Sequence, residues 1–217
     1  MAVISDDTEL IREIYPFRGI ARITLDNGES FWLTRSAVRE GGFQEGQEVH
    51  TGEFRRFVLL HQYPSALKLA VSMLARRVCS RGEIEQRLKR TRYDRETVEM
   101  VMARLDRDHL LNDEDFSLQW AHYRTGKKYG SRRIALELRQ KGVSAGDVKA
   151  ALESIDPEEE TEQAVALARR AFARLKPEED PRKGRQKVMA ALVRRGYDWD
   201  TARRACSRVE HEDEEEE

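Results

Sequence analysis

Histidine and cysteine are the side chains most able to ligate metal or attack as nucleophiles, and this chain has five of the first and two of the second. His50, His61, His109, His122 and His211 do not recur at metal-ligand spacing. Asp113, Glu114 and Asp115 lie between His109 and His122 and would offer carboxylates to a metal. Acidic first-turn residues beside an N-cap are, however, what a helix N-terminus prefers, and that reading is adopted. Cys79 and Cys206 sit near helical stripes and read as small packing residues. Two cysteines are too few for a disulfide framework or a zinc site. The chain has no glycine-rich phosphate loop, HExxH, GxSxG or paired-cysteine cluster. No catalytic, cofactor or metal site is expected.

What remains is the chemistry of fixed positive charge. Lys127, Lys128, Arg132, Arg133, Arg139 and Lys141 form one set. Lys183, Arg185, Lys187, Arg194, Arg195, Arg203 and Arg204 form a second, and Arg87, Lys89, Arg90 and Arg92 a smaller one. Ile134 and Leu138 mark a buried stripe, which leaves Arg133 and Lys141 directed toward solvent. Such sets can face an acidic protein surface or DNA phosphates. A base-reading protein would instead gather Arg, Asn or Gln on one recognition helix. Trp120 and Tyr123, on the stripe of Phe116, are expected in a core, as are Tyr93 and Tyr197. Trp199 is expected on the surface.

The elements that must carry these cations follow from composition and period. The 217 residues are 36% charged and 39% hydrophobic, with a mean hydropathy of −0.74. Thin helical layers with narrow apolar stripes suit such numbers better than one large core. The net charge of −1 hides an asymmetry. Residues 1–65 hold 7 basic and 10 acidic side chains, 66–209 hold 32 and 23, and 210–217 hold 7 acidic ones with no Lys or Arg. No run reaches the length of a membrane span, and the N-terminus lacks a secretory pattern. A soluble cytoplasmic monomer is expected.

Gly19–Leu25 alternates apolar and polar residues, Asp26-Asn27-Gly28 supplies a turn, and Ser30–Thr34 resumes the β-formers. A hairpin is expected, with Ile20, Ile23, Phe31 and Leu33 facing a helix. From about Thr51 the period becomes helical: Phe54, Phe57, Val58 and His61 form one stripe, which Pro64 should break or kink. Nine further helices are expected from residue 66. An internal repeat organises them. Ile84/Leu88/Tyr93/Asp94, Ile134/Leu138/Val143/Ser144 and Val188/Leu192/Tyr197/Asp198 align without gaps, and Val98, Val148 and Ala202 follow ten residues after each Leu. Each unit is a short helix, a left-handed corner and a new N-cap. Gly142 and Gly196 suit that corner. Arg92 stands in the equivalent place, so its corner should be strained or shaped differently. Ser144 with Asp147 resembles a capping box.

The sequence therefore predicts a mainly α fold: three three-helix modules in an elongated tandem arrangement behind a small β-hairpin extension. The expected boundaries are 1–62, 63–111, 112–156, 157–209 and a disordered acidic tail, 210–217. Lys176–Pro181 reads as a loop within the third module. The repeat, the run Leu110–Phe116, Trp120 with Arg124, and Gly130–Val143 resemble the RecX regulatory proteins over roughly residues 60–209. His109 and Arg92 depart from that pattern at turns where the family commonly carries Gly. The resemblance implies a non-enzymatic modulator that lies along the groove of the RecA–DNA filament. It would hinder filament growth, ATP turnover, strand exchange and co-protease action, and bind single- or double-stranded DNA weakly and non-specifically. The alternative is a stand-alone DNA-binding protein built from helix-turn-helix-like units.

Overall fold

A computed structural model describes residues 8–175 and 180–215 of the chain, with side chains placed through residue 212. It contains two compact units, residues 1–111 and 112–217.

The first unit opens with β1 (Thr8–Phe17), β2 (Ile20–Leu25) and β3 (Ser30–Thr34), then a short α1 (Arg35–Glu40) and β4 (Glu48–His50). The strands form one antiparallel sheet in the order β3-β2-β1-β4. The expected hairpin is β2–β3, closed at Gly28, whose φ of +88° only glycine enters at little cost. Strands β1 and β4 lay outside the sequence reading. Leu10 and Ile11 in β1 are adjacent apolar residues beside a bulge, which blurs the two-residue alternation. The buried face carries Ile11, Ala21, Ile23, Leu25, Phe31 and Leu33. Ile20 was expected there too, but it pairs with Thr34 on the opposite face, because side chains one residue apart point oppositely.

Of the expected break or kink at Pro64 the break does not occur: helix α2 (Thr51–Leu74) runs continuously through it. Pro64 and Leu60, whose carbonyl loses its partner, are both exposed, so water can satisfy that group. The helix is also held at both ends. Phe54 and Val58 pack under the sheet, while Ala66 and Ala70 pack with α3 (Arg81–Arg90) and α4 (Arg95–Arg107). Between these halves the buried Gln62 donates to the Trp32 carbonyl at 2.7 Å and accepts from the Asp94 amide at 2.7 Å. One amide thus ties the sheet to the N-cap of α4.

The second unit holds α5 (Asp113–Gly126), α6 (Ser131–Gln140), α7 (Ala145–Glu153), α8 (Pro157–Phe172), α9 (Pro181–Arg194) and α10 (Trp199–Glu215). Phe116, Ile134, Leu138, Val143 and Val148 close one core; Val165, Val188, Leu192, Tyr197, Cys206 and Val209 close another. Asp94, Ser144 and Asp198 cap α4, α7 and α10 by accepting first-turn amides. Ser144 forms only half of the expected capping box, since Asp147 accepts from the Ser144 hydroxyl instead of the N-cap amide. Its side chain is one methylene shorter than Glu. A full capping box does occur at Ser80 and Glu83. The tail expected to be disordered from residue 210 instead continues α10 to Glu215. Residues 176–179 of the expected loop, and Glu216 and Glu217, lie outside the described residues.

Candidate binding surface

Five helix ends share one closure. At Arg92, His109, Lys128, Gly142 and Gly196 the backbone turns left-handed, with φ of +71°, +53°, +59°, +78° and +96°. In each case the next residue donates its amide to the carbonyl five residues earlier. The pairs are Tyr93 to Leu88, Leu110 to Leu105, Tyr129 to Arg124, Val143 to Leu138 and Tyr197 to Leu192. This satisfies a helix-end carbonyl that would otherwise be orphaned. The Arg92 corner therefore keeps the shape of its glycine counterparts and carries the strain of a side chain in a left-handed conformation. Its guanidinium lies 4.1 Å from the Trp32 ring centroid and 5.3 Å from that of Phe17, against the sheet.

In the second unit the corners at 128 and 196 meet. Gly130 donates to the Arg195 carbonyl and Arg132 to that of Gly196. A Cβ on Gly130 would lie 2.4 Å from the Gly196 carbonyl carbon and the Tyr197 nitrogen; one on Gly196 would lie 2.3 Å from Arg133 Cβ. Glycine at both places allows backbones to touch. Glu160 accepts from the Ser131 amide and hydroxyl at 2.7 and 2.8 Å. The Arg195 guanidinium donates to the carbonyls of Lys127 and Lys128 and lies 5.1 Å from the Tyr129 ring.

This joint brings together Lys127, Lys128, Arg132, Arg133, Arg194 and Arg195. It leaves the other sequence-identified cations elsewhere. Arg139 and Lys141 lie about 10 Å further along α6 at 1.5 Å per residue, and Lys183, Arg185 and Lys187 lie toward the start of α9. Several of these cations serve the fold. Arg133 pairs with Glu137 at 2.9 Å, Arg185 with Glu210 and Ser207, Arg203 with Asp200, and Arg204 donates to Thr201. Lys141, expected toward solvent, lies 4.0 Å from the Trp120 ring centroid. Lys127 faces the Tyr123 ring at 5.7 Å, and Lys187 also has an internal contact. Among the described residues, the side chains of Lys128, Arg132, Arg139, Lys183 and Arg194 make no hydrogen bond or ion pair. Arg132 and Arg139 flank the exposed Leu136 on one line of α6.

Behind that surface is a charge no spacing rule singled out. The Glu137 carboxylate, nearly buried, accepts from Arg124, from Arg133 at 2.9 Å and from Trp120 Nε1 at 3.2 Å. Arg124 also lies 3.8 Å from the Tyr129 ring centroid. Burial alone would raise the pKa of Glu137, but hydrogen bonds from Arg133 and Arg124, with their charges, hold it below the ordinary carboxylate value. A Glu three residues after Ile134 reads as surface by default. Its role shows only when Trp120 and Arg124 arrive from α5. Tyr123, expected in the core, is exposed, as is Trp199.

Burial pushes the Cys206 thiol up to about 11, with Glu210 raising and Arg185 lowering it, so it is protonated at neutral pH. Among the described residues, no three His, Cys, Asp or Glu side chains gather in a metal-holding group, and no helix is long and apolar enough to cross a membrane.

Residues 66–105, 112–152 and 158–206 match, in order, the family models described as the first, second and third three-helix domains of RecX. The regulatory protein RecX of Prosthecochloris aestuarii is 38% identical over 145 residues, 66% of this chain and 93% of that protein. That of Mycolicibacterium smegmatis is 34% identical over 63% of this chain and 75% of the other. The Corynebacterium efficiens protein is 38% identical over 59% of this chain, and the match spans 63% of its length. A crystal structure of a regulatory protein RecX superposes with a TM-score of 0.61 at 23% identity, covering 89% of this chain and 96% of the other. RecX from Lactobacillus salivarius does so at 0.61 and 19%, covering 68% and 96%.

Fold and surface together define a mainly helical tandem-repeat protein, three three-helix modules preceded in the chain by a small antiparallel sheet, whose candidate site is a cationic face. The chain belongs to the RecX family of regulatory proteins.

Proposed function

We propose that this protein is a non-enzymatic, cytoplasmic regulator of the RecA recombinase. Acting as a monomer in DNA repair and the SOS response, it binds the RecA–DNA filament and restrains ATP turnover, strand exchange and co-protease action. The observation that carries this reading is the series of three RecX-type modules, of which the second and third present Lys128, Arg132, Arg139, Lys183 and Arg194, whose side chains make no hydrogen bond or ion pair among the described residues. Lys128, Arg132 and Arg194 at the joint, with Arg139 and Lys183 farther along their helices, fit an extended acidic or phosphate-bearing surface. Weak contacts made at several places on one polymer add as avidity, so one module alone should bind poorly. Binding can shift filament assembly only by its differential affinity for filament over free subunits.

The test is RecA-catalysed ATP hydrolysis on single-stranded DNA with this protein titrated in. A concentration-dependent fall supports the proposal; an unchanged rate at saturating protein rejects it. Naked DNA separates the stand-alone DNA reader. Weak binding that falls steeply with salt belongs to the regulator, whereas tight, sequence-specific binding without RecA belongs to the reader.

A further inference from the structure

The outward face of the N-terminal sheet lies before the residues matched by the RecX models. Strand pairing sets Tyr15, Arg22 and Trp32 in one row across β1, β2 and β3, with Phe17, Ile20 and Thr34 in the row beside it. Their neighbours Ile14, Ile23 and Phe31 point the other way, into the core. Tyr15 is 49% exposed and Phe17 38%. Cations surround these rings: Arg22 is 5.6 Å from the Tyr15 centroid, Arg18 is 5.5 Å from Phe17, and Arg92 is shared between Phe17 and Trp32. Two acids adjoin the rows: Glu13 is held by Arg22 at 2.9 Å, and Glu45 accepts from the Ile14 amide at 2.8 Å.

We infer that this face binds single-stranded DNA by stacking unpaired bases on Tyr15 and Phe17 while Arg18 and Arg92 hold the phosphates. Flat aromatic rings interleaved with guanidinium groups are the two components of sequence-tolerant single-strand binding. The geometry favours a single strand over a duplex. Tyr15 and Phe17 lie two residues apart on one strand, about 6.6 Å, roughly twice the 3.4 Å spacing of stacked bases in a duplex. Bases seated on both rings must already be unstacked from each other. Aromatic and Arg side chains also anchor protein interfaces, but there they fill pockets, whereas these rings lie on an open sheet. The choice of DNA over RNA rests on the function proposed above.

The direct experiment measures fluorescence anisotropy of a labelled oligothymidine of about 16 nucleotides, within the range of single-strand site sizes, using the full chain without RecA. Tyr15→Ala/Phe17→Ala should weaken binding about tenfold or more, since each stacked ring contributes substantially, while Tyr15→Phe retains it. An abasic oligomer of equal charge should bind the wild type and the double variant alike. If the double variant does not fold, Tyr15→Ala alone, at a half-exposed side chain outside the buried core, carries the same test. Unchanged binding of oligothymidine, or equal loss on the abasic oligomer, overturns the inference. So does tighter binding to oligouridine, or a loss confined to binding of RecA itself. Inhibition of RecA without ring-dependent oligothymidine binding removes this site and leaves the proposed function standing; ring-dependent binding without effect on RecA does the reverse.

Discussion

Gly130 and Gly126 sit four residues apart and should respond oppositely to the same methyl group. At Gly130 a Cβ would meet the backbone of Gly196 and Tyr197 at 2.4 Å, and backbone cannot swing aside as a side chain can. Gly130→Ala should cost about 2 kcal/mol or more, in the range of overpacking. At Gly126, the last residue of α5, nothing lies within 4 Å and φ is not left-handed. Gly126→Ala should stabilise by about 0.5 kcal/mol through the unfolded chain. Urea midpoints of the two variants check both signs. His109 supplies the converse case, an exposed side chain held at φ of +53°. Replacing it by glycine should remove strain and raise stability by up to about 1 kcal/mol, seen as a higher Tm. Arg92→Gly should yield less, because the Trp32 and Phe17 contacts are lost with the strain.

At the level of the elements, stability depends on two buried polar anchors, Gln62 and Glu137. Glu137→Ala should lower stability by about 3 kcal/mol, the usual result of leaving a buried partner such as Arg124 uncompensated. The sign of its pH dependence follows from its lowered pKa. The stability it adds is present above its ordinary value of 4.5 and is lost as pH falls through the lower folded value. Wild type should therefore lose more stability than Glu137→Gln on acidification from about pH 5 to about pH 3, measured by urea unfolding at each pH. The repeat in Leu88, Leu138 and Leu192, with caps at Asp94, Ser144 and Asp198, was readable from spacing because local chemistry alone dictates a corner. Other features were not. Pro64 signals a break or kink, and the exposure of Leu60 together with the packing of both ends of α2 keeps the helix continuous. Gln62 and Glu137 look like surface residues until β3, α4 and α5 supply their partners. The cations were legible as a set, but their division into structural and available members depends on contacts between helices. Acidic residues from 210 onward read as a solvated tail, yet Glu210 pairs with Arg185, and Glu212 with Arg169 and Arg208, within the third module. Truncation after Val209 should accordingly lower the stability of that module, measured as an earlier urea transition.

For the molecule as a whole, the cations that pair internally are distinct from those that make no hydrogen bond or ion pair among the described residues. Reversing Arg133 would disturb the Glu137 network, so a lost activity there would be ambiguous. Lys128→Glu/Arg132→Glu/Arg139→Glu avoids this, since none of the three has an internal ion pair among the described residues. This variant should keep wild-type helicity and unfold at a slightly lower urea concentration, because Arg132 adds to the Thr201 hydrogen bonds that favour the charged Asp198 cap of α10. The most direct measurement is inhibition of single-stranded-DNA-dependent ATP hydrolysis by RecA, titrated in parallel with wild-type protein and with this triple variant. The wild type should slow hydrolysis, and the folded variant should require about tenfold or more protein for the same effect, as loss of several cooperating contacts entails. Equal inhibition by both proteins, or none by either, would contradict this expectation.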